Sequence, residues 1–146
     1  MRKEFLRGDM VLDTSILVEI VFATDIGREL IDHILNDVIR PYTTTLNITE
    51  TLYIVCRLLG IEEAKKRVNL LVDSGYLEIV NSDNVSLSAA ECKCRFPISM
   101  VDCHTLALAR EYKIPALFYR LENRFKPIVN QLKTWINNEI YFITEK

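Results

Sequence analysis

Two hydrophobic rhythms alternate along this chain. Short apolar runs closed by polar residues read as strands, and stretches with apolar positions every three or four residues read as helices. Met10 to Leu12 is the first such strand, and Asp13 closes it. Ile16 to Phe22 predicts a short apolar helix. Thr24-Asp25 opens a second helix with Ile26, Leu30, Ile31, Ile34 and Leu35 at helical spacing. Gly27 lies in its first turn and would cost about 1 kcal/mol relative to alanine if fully helical. Pro41 is expected to end that segment, leaving Tyr42 to Thr45 as a short β-type run.

A long helix follows from about Asn47 to Leu59, with Leu52, Val55, Cys56 and Leu59 as its core face and Gly60 just past its end. Ile61 to Ser74 predicts another helix, which carries Lys65, Lys66 and Arg67 and stops at Gly75. Tyr76 to Val80 reads as a strand, and Ser82 to Phe96 as a helix begun by Ser82 or Asp83. Pro97 separates it from a helix over Met100 to Tyr112. Ile114 to Phe118 is the last clear core strand, after a turn at Tyr112-Lys113. Arg120 to Arg124 is short and polar. Pro127 suits the first turn of a final helix with Ile128, Val129, Leu132, Trp135 and Ile136 as apolar positions. Ile140 to Ile143 reads as a terminal strand. Strands alternating with helices imply an α/β fold, a parallel sheet covered by helices on both faces. No repeat, low-complexity segment or linker interrupts the pattern.

Composition narrows the class. A chain of 146 residues suits one domain over 1–146 with a single core. An apolar fraction of 49% with 26% charged residues is globular rather than disordered. Eighteen basic residues against twenty acidic ones give a net charge of −2. That balance neither favours nor excludes nucleic acid, because a basic groove can sit on an acidic protein. No apolar run, Ile16 to Ala23 included, is long enough to span a bilayer. Met1-Arg2-Lys3-Glu4 starts like a signal peptide, but Arg7, Gly8 and Asp9 break the apolar stretch that should follow. The expectation is a soluble, cytoplasmic protein with no membrane segment. Cys56, Cys92, Cys94 and Cys103 are not spaced as a disulfide framework. Cys92-x-Cys94 with Cys103-His104 has a zinc-like look. Adjacent helical residues point about 100° apart, however, so Cys103 and His104 are poor co-ligands. His33, on a polar stripe with Asp32 and Asp37, and His104, in an apolar helix, are expected at the surface or as hydrogen-bonded core histidines.

Three carboxylates fall at corresponding places in this pattern. Asp13 ends the first strand, Glu50 lies in the first turn of the helix after the Tyr42 strand, and Asp102 lies in the first turn of the Met100 helix. Helix N-termini that follow parallel strands share one edge of the sheet, where ligands bind in such folds. Each acid also has a structural reading. Asn47-x-x-Glu50 and Ser99-x-x-Asp102 both match a capping box, and Asp13 could cap the helix near Ile16. Yet Glu50 shares a side with Leu46, Tyr53 and Ile54, and Asp102 with Ile98 and Leu106. A carboxylate set towards an apolar surface needs a compensating partner. No basic residue within four positions of either supplies one. A hard divalent cation would, and clustered carboxylates that repel one another would select for it. The chemistry that follows is phosphodiester hydrolysis assisted by one or two Mg²⁺ or Mn²⁺ ions. Lys93, Arg95, Arg120 or Arg124 would hold a nucleic-acid backbone, or form an ordinary solvated surface.

With V-L-D-T-S-I-L-V-E around Asp13, I-T-E-T-L-Y around Glu50, I-S-M-V-D-C-H-T-L-A-L-A around Asp102 and the following I-P-A-L-F, the chain resembles PIN-domain proteins. These are of the kind found as the toxin in VapBC toxin–antitoxin pairs. The resemblance spans nearly the whole chain, and the Asp102 segment is its most specific piece. It implies a three-layer α/β/α fold with a central parallel sheet, an acidic Mg²⁺- or Mn²⁺-dependent ribonuclease site, a homodimer and a cognate antitoxin. Carried over, Asp13 and Asp102 would be the main metal ligands and Glu50 would complete the acidic cluster. Ser15 or Thr14 would supply a hydroxyl near the metal. Of the basic residues named above, Arg120 and Arg124 are the expected RNA contacts, with Ser15. The family commonly places a fourth acid soon after the last core strand, often as Thr-x-Asp. Here the segment is F-Y-R-L-E-N-R-F, and Glu122 is its sole acid. If Glu122 faces solvent, the second-metal position is weakened.

Two other phosphoryl-transfer classes are set aside. A haloacid-dehalogenase phosphatase needs a second acid two residues after the first, where Ser15 stands. A receiver domain needs an acid pair beside strand one, and Asp13 has none, although Lys126-Pro127 looks like the switch lysine of that fold. The alternative that remains is a PIN-like module that binds RNA or protein without cleaving it.

Overall fold

The structure, a computed structural model, describes residues 6 to 145. The Met1-Arg2-Lys3-Glu4 start lies outside them. Met10 and Leu12 pack on one side of the first strand and Val11 on the other, and all three are buried. A strand buried on both faces belongs inside a parallel sheet layered between helices. Strand β1 (Gly8–Leu12) takes that place. It pairs in parallel with β2 (Ile39–Thr44) on one side and β4 (Ala116–Arg120) on the other. β3 (Glu78–Val80) and β5 (Ile140–Thr144) complete the order β3-β2-β1-β4-β5. The expected three-layer α/β/α architecture is the one observed.

Among the described residues seven α-helices flank this sheet: α1 (Thr14–Val21), α2 (Asp25–Leu35), α3 (Thr45–Leu59), α4 (Ile61–Asp73), α5 (Ser86–Arg95), α6 (Met100–Tyr112) and α7 (Val129–Ile136). One core joins Val11, Phe118 and Phe142 of the sheet to Ala89 and Cys92 of α5, Leu106 and Leu108 of α6 and Trp135 of α7. The other joins Met10, Leu12 and Leu117 to Ile16, Ile20, Leu30 and Ile34 of α1 and α2. None of the helices among the described residues is long and apolar enough to cross a membrane.

Several local expectations are corrected. Pro41 does not end a segment but sits inside β2, opposite Met10. β3 pairs only with Tyr42 to Thr44, so the missing N–H of Pro41 lies beyond its reach. α3 starts at Thr45, earlier than expected, because Thr44 caps it by accepting the Asn47 N–H at 3.1 Å. Its buried face is Asn47, Thr51 and Val55, while Leu52 and Cys56 are half-buried and Leu59 is exposed. The Ser82 helix opens with a 3-10 turn at Ser82–Val85, capped by Asn81, before α5. Pro127 lies in the turns ahead of α7 rather than in its first helical turn.

Gly27 has a sharper reason than propensity. The N-terminus of α2 crosses the end of α1, where the Thr24 N–H bonds to the Glu19 carbonyl at 3.2 Å. A Cβ at Gly27 would overlap that carbonyl. Close approach of two backbones, rather than a positive φ, requires glycine here.

Candidate active site

The sheet order reverses at β1. The chain leaves β1 for β2 and β3 on one side, then returns to β4 on the other, which opens a crevice at the C-terminal strand ends. Asp13 stands at that crevice, one residue past β1. Its carboxylate caps α1 by accepting the Ser15 N–H at 3.0 Å and the Ser15 hydroxyl at 2.8 Å, both on Oδ2. Oδ1 accepts the Thr105 hydroxyl of α6 at 3.1 Å. The residue is only 4% exposed. Burial, with Asp102 close by, pushes its carboxyl up to about 6, against the Ser15 and Thr105 hydrogen bonds that pull it down.

Beneath Asp13 lies a buried polar network that links three elements. The Thr44 hydroxyl donates to Asn47 Oδ1 at 2.6 Å. The Asn47 amide donates to the hydroxyls of Thr14 and Thr105, each at 3.0 Å. Thr105 in turn donates to Asp13. Asn47 and Thr105 are fully buried, so each hydrogen bond is worth more than in water and each loss would cost more. Ser15 is tied from a second side, because its hydroxyl also accepts the Tyr119 N–H of β4 at 3.0 Å. Asp13 is thus held in one orientation by α1, α3, α6 and β4.

Asp102 forms the capping box its sequence predicts and also lines the crevice. Ser99 and Asp102 form the capping box of α6, with Ser99 N–H to Asp102 Oδ2 at 3.3 Å and Asp102 N–H to Ser99 Oγ at 3.0 Å. The same carboxylate, 4% exposed, faces the crevice. Its compensating partner is Arg124, distant in sequence and therefore missed by a search of near neighbours. Arg124 Nε donates to Oδ2 at 2.9 Å and an Nη to Oδ1 at 3.3 Å. Its other Nη pairs with Glu122. The Arg124 guanidinium also lies over the Phe125 ring at 4.5 Å.

Asp13, Thr14, Ser15, Glu50, Ile54, Ser99, Asp102, Glu122 and Arg124 line a single cavity of about 370 Å³. The four sequence-flagged acids therefore meet, from α1's cap, α3, α6 and the segment after β4. Glu50 is half-buried in the second turn of α3, since Thr44 and not Asn47 caps that helix, and the Asn47-x-x-Glu50 capping box does not form. Glu122 lies on the cavity rim. An adjoining cavity of about 170 Å³ shares Ser15, Glu122 and Arg124 and adds Phe118, Tyr119 and Arg120. Lys93 and Arg95 are not part of either. Lys93 donates to the Ile98 carbonyl and Arg95 pairs with Glu91. His104 donates Nδ1–H to the Met100 carbonyl at 2.7 Å, and Cys103 hydrogen-bonds to Cys92, so neither turns towards the acids. His33 meets the Glu29 carbonyl at 2.7 Å.

Among the described residues no three acidic, histidine or cysteine side chains already close on one metal position. The donor chemistry still suits a hard cation. All four donors are carboxylates, and Asp13 and Asp102 are near enough for one charge to raise the other's pKa. Magnesium needs only one or two protein carboxylates, because it keeps several waters. Sequence reasoning missed Asn47, Thr105 and Thr44. One signal was available: Asn47, Thr51 and Val55 recur every four residues, which marks a buried helix face carrying polar groups.

Comparison with known proteins agrees with this architecture. A family model described as "PIN domain" matches residues 10–127. VapBC2 from Rickettsia felis, solved with a DNA fragment from its promoter, superposes with a TM-score of 0.66 at 14% identity, over 92% of this chain and 98% of that one. VapC20 of Mycobacterium tuberculosis, titled a sarcin-ricin loop cleaving toxin, gives 0.60 at 18% identity over 73% and 86%. FitAcB from Neisseria gonorrhoeae gives 0.60 at 16% identity over 90% and 96%. No curated protein matches the chain.

Proposed function

Because this chain belongs to the PIN domain family, we propose that it is a metal-dependent ribonuclease, the toxin of a toxin–antitoxin pair. The observation that carries this reading is the meeting of Asp13, Glu50, Asp102 and Glu122 in one crevice that Arg124 also lines, with Arg120 in the adjoining cavity. Capping accounts for Asp13 and Asp102, and Arg124 pairs Asp102 with Glu122, but neither accounts for Glu50 or for all four acids lining one crevice. Asp13 and Asp102 would hold Mg²⁺ or Mn²⁺, which supplies Lewis acidity for phosphodiester hydrolysis. Glu50 and Glu122 add negative charge around that position. Ser15 and Thr105 fix the Asp13 carboxylate so that its oxygens need not reorganise during reaction. Arg120 is exposed at the end of β4, where its guanidinium can meet a backbone phosphate.

The solved relatives include a toxin–antitoxin complex, which supports an antitoxin protein as the expected inhibitor. A homodimer is the assembly that the family resemblance implies. The test is RNA cleavage in millimolar Mn²⁺ by wild type, Asp13→Asn and Asp102→Asn, with circular dichroism to check the fold. Loss of cleavage in folded variants is the expected result, and retained cleavage overturns the assignment. One observation favours a second reading, a PIN-like module that binds without cutting: Arg124 already neutralises Asp102. On that reading Asp13→Asn leaves binding intact and wild type shows no metal-dependent cleavage.

A further inference from the structure

Arg124 contacts Glu122 and the Phe125 ring in its own segment, but its grip on Asp102 reaches across to another element. Its fork grips both oxygens of Asp102 and reaches Glu122 as well, placing one cation between two acids of the cavity. Asp102 has no carboxylate oxygen left without a donor, since Oδ2 also receives the Ser99 N–H. Asp13 differs: all its donors are neutral, the Thr105 hydroxyl buried and those of Ser15 half-buried, and they orient it without cancelling its charge. The two acids that face each other are therefore unequal. One is positioned, and the other is covered by a side chain that is itself 40% exposed.

The covering group is held by ion pairs and a ring contact but is open to solvent on one side. Arg124 sits in a run of turns rather than in a helix or strand. Its neighbour Phe125 is locked in the core against Phe118 and Phe142, which anchors the backbone beneath a partly exposed Arg124 side chain. It lines both cavities, the acidic one and the one bearing Arg120. A guanidinium binds phosphate with the same bidentate fork it uses on carboxylate.

We propose that Arg124 is a cis-acting gate: it blocks Asp102 from a divalent cation until an RNA phosphate draws the guanidinium away. This rests on reading the acids as metal ligands. Arg124 is then a positioning residue that couples substrate binding to metal loading. Coupling of that kind is reciprocal, so the oligonucleotide must tighten metal binding by the factor by which metal tightens the oligonucleotide.

The test is calorimetric titration of Mn²⁺ into the full chain as wild type, Arg124→Ala, Arg124→Lys and Asp13→Asn. Each titration is run with and without a mixed-sequence phosphorothioate oligoribonucleotide. Without the oligonucleotide, Arg124→Ala is expected to bind Mn²⁺ about tenfold more tightly than wild type, the scale of a lost charge-assisted hydrogen bond. Arg124→Lys, a point charge without the fork, is expected to lie between them. The oligonucleotide is expected to lower the wild-type Kd for Mn²⁺ and to leave that of Arg124→Ala unchanged. Equal Kd values in wild type and Arg124→Ala, with binding abolished by Asp13→Asn, overturn the gate and leave the metal reading standing. Absence of Mn²⁺ binding in every protein overturns both. Arg124→Gln, which keeps most of the stem, repeats the comparison if the alanine variant does not fold.

Discussion

At the scale of single residues, Asp13 carries a charge its surroundings oppose. Its carboxyl is raised from the ordinary 3.8 to about 6 by burial and by Asp102. A raised acid favours the protonated form in the folded state, so its contribution to stability is full below about pH 4 and is lost as pH rises through 6. Two units correspond to about 3 kcal/mol. Without metal, Asp13→Asn is therefore expected to melt higher than wild type at pH 7, with the gap closing towards pH 4. Thermal melts across that range in EDTA check it, and a constant difference would show that Asp13 is not desolvated. Asp13, Glu50 and Asp102 were legible in the sequence because each follows a strand or opens a helix. The grip of Arg124 on Asp102 and the hub role of Asn47 were not. Arg124 reaches Asp102 across a sequence gap of 22 residues, and Asn47 read as a helix cap when it is the hub of a buried network.

At the scale of elements, most of the fold was legible because its helices and strands carry strong periodicity and clear stops. The misplacements share one cause, tertiary context overriding a local rule. Pro41 enters β2 because the neighbouring strand is too short to need its N–H. α3 turns polar residues inward because they serve the site, so the apolar stripe expected from Leu52, Cys56 and Leu59 is in part exposed. The α1–α2 crossing supplies a prediction. Gly27→Ala is expected to destabilise the protein by about 2 kcal/mol or more, well beyond the helix-propensity gain of about 1 kcal/mol, because the added methyl must push α2 off the Glu19 carbonyl. Urea denaturation measures it, and a neutral or stabilising change would mean that the two helices separate freely.

At the scale of the whole molecule, the site is a product of strand order. Asp13 follows the central strand, Glu50 follows its neighbour on one side, and Glu122 follows its neighbour on the other. No contiguous segment holds more than a fraction of the acids. The convergence could be expected from a parallel sheet in general. The particular order β3-β2-β1-β4-β5 could not, since periodicity gives the direction of a strand but not its neighbour.

The pairing of β1 with β4 has a temporal meaning. Val11 and Leu12 sit at the sheet's centre and wait for Ala116 and Leu117, which leave the ribosome about a hundred residues later. Until then the Ser15 hydroxyl lacks its Tyr119 anchor, and Glu122 and Arg124 do not yet exist. On the proposed ribonuclease reading, a nascent chain would thus be harmless to the RNA around it for nearly the whole of its synthesis. A chain ending at Tyr112 is accordingly expected to show no Mn²⁺-induced rise in melting temperature and no RNA cleavage. Cleavage by such a fragment would place the chemistry somewhere other than this crevice.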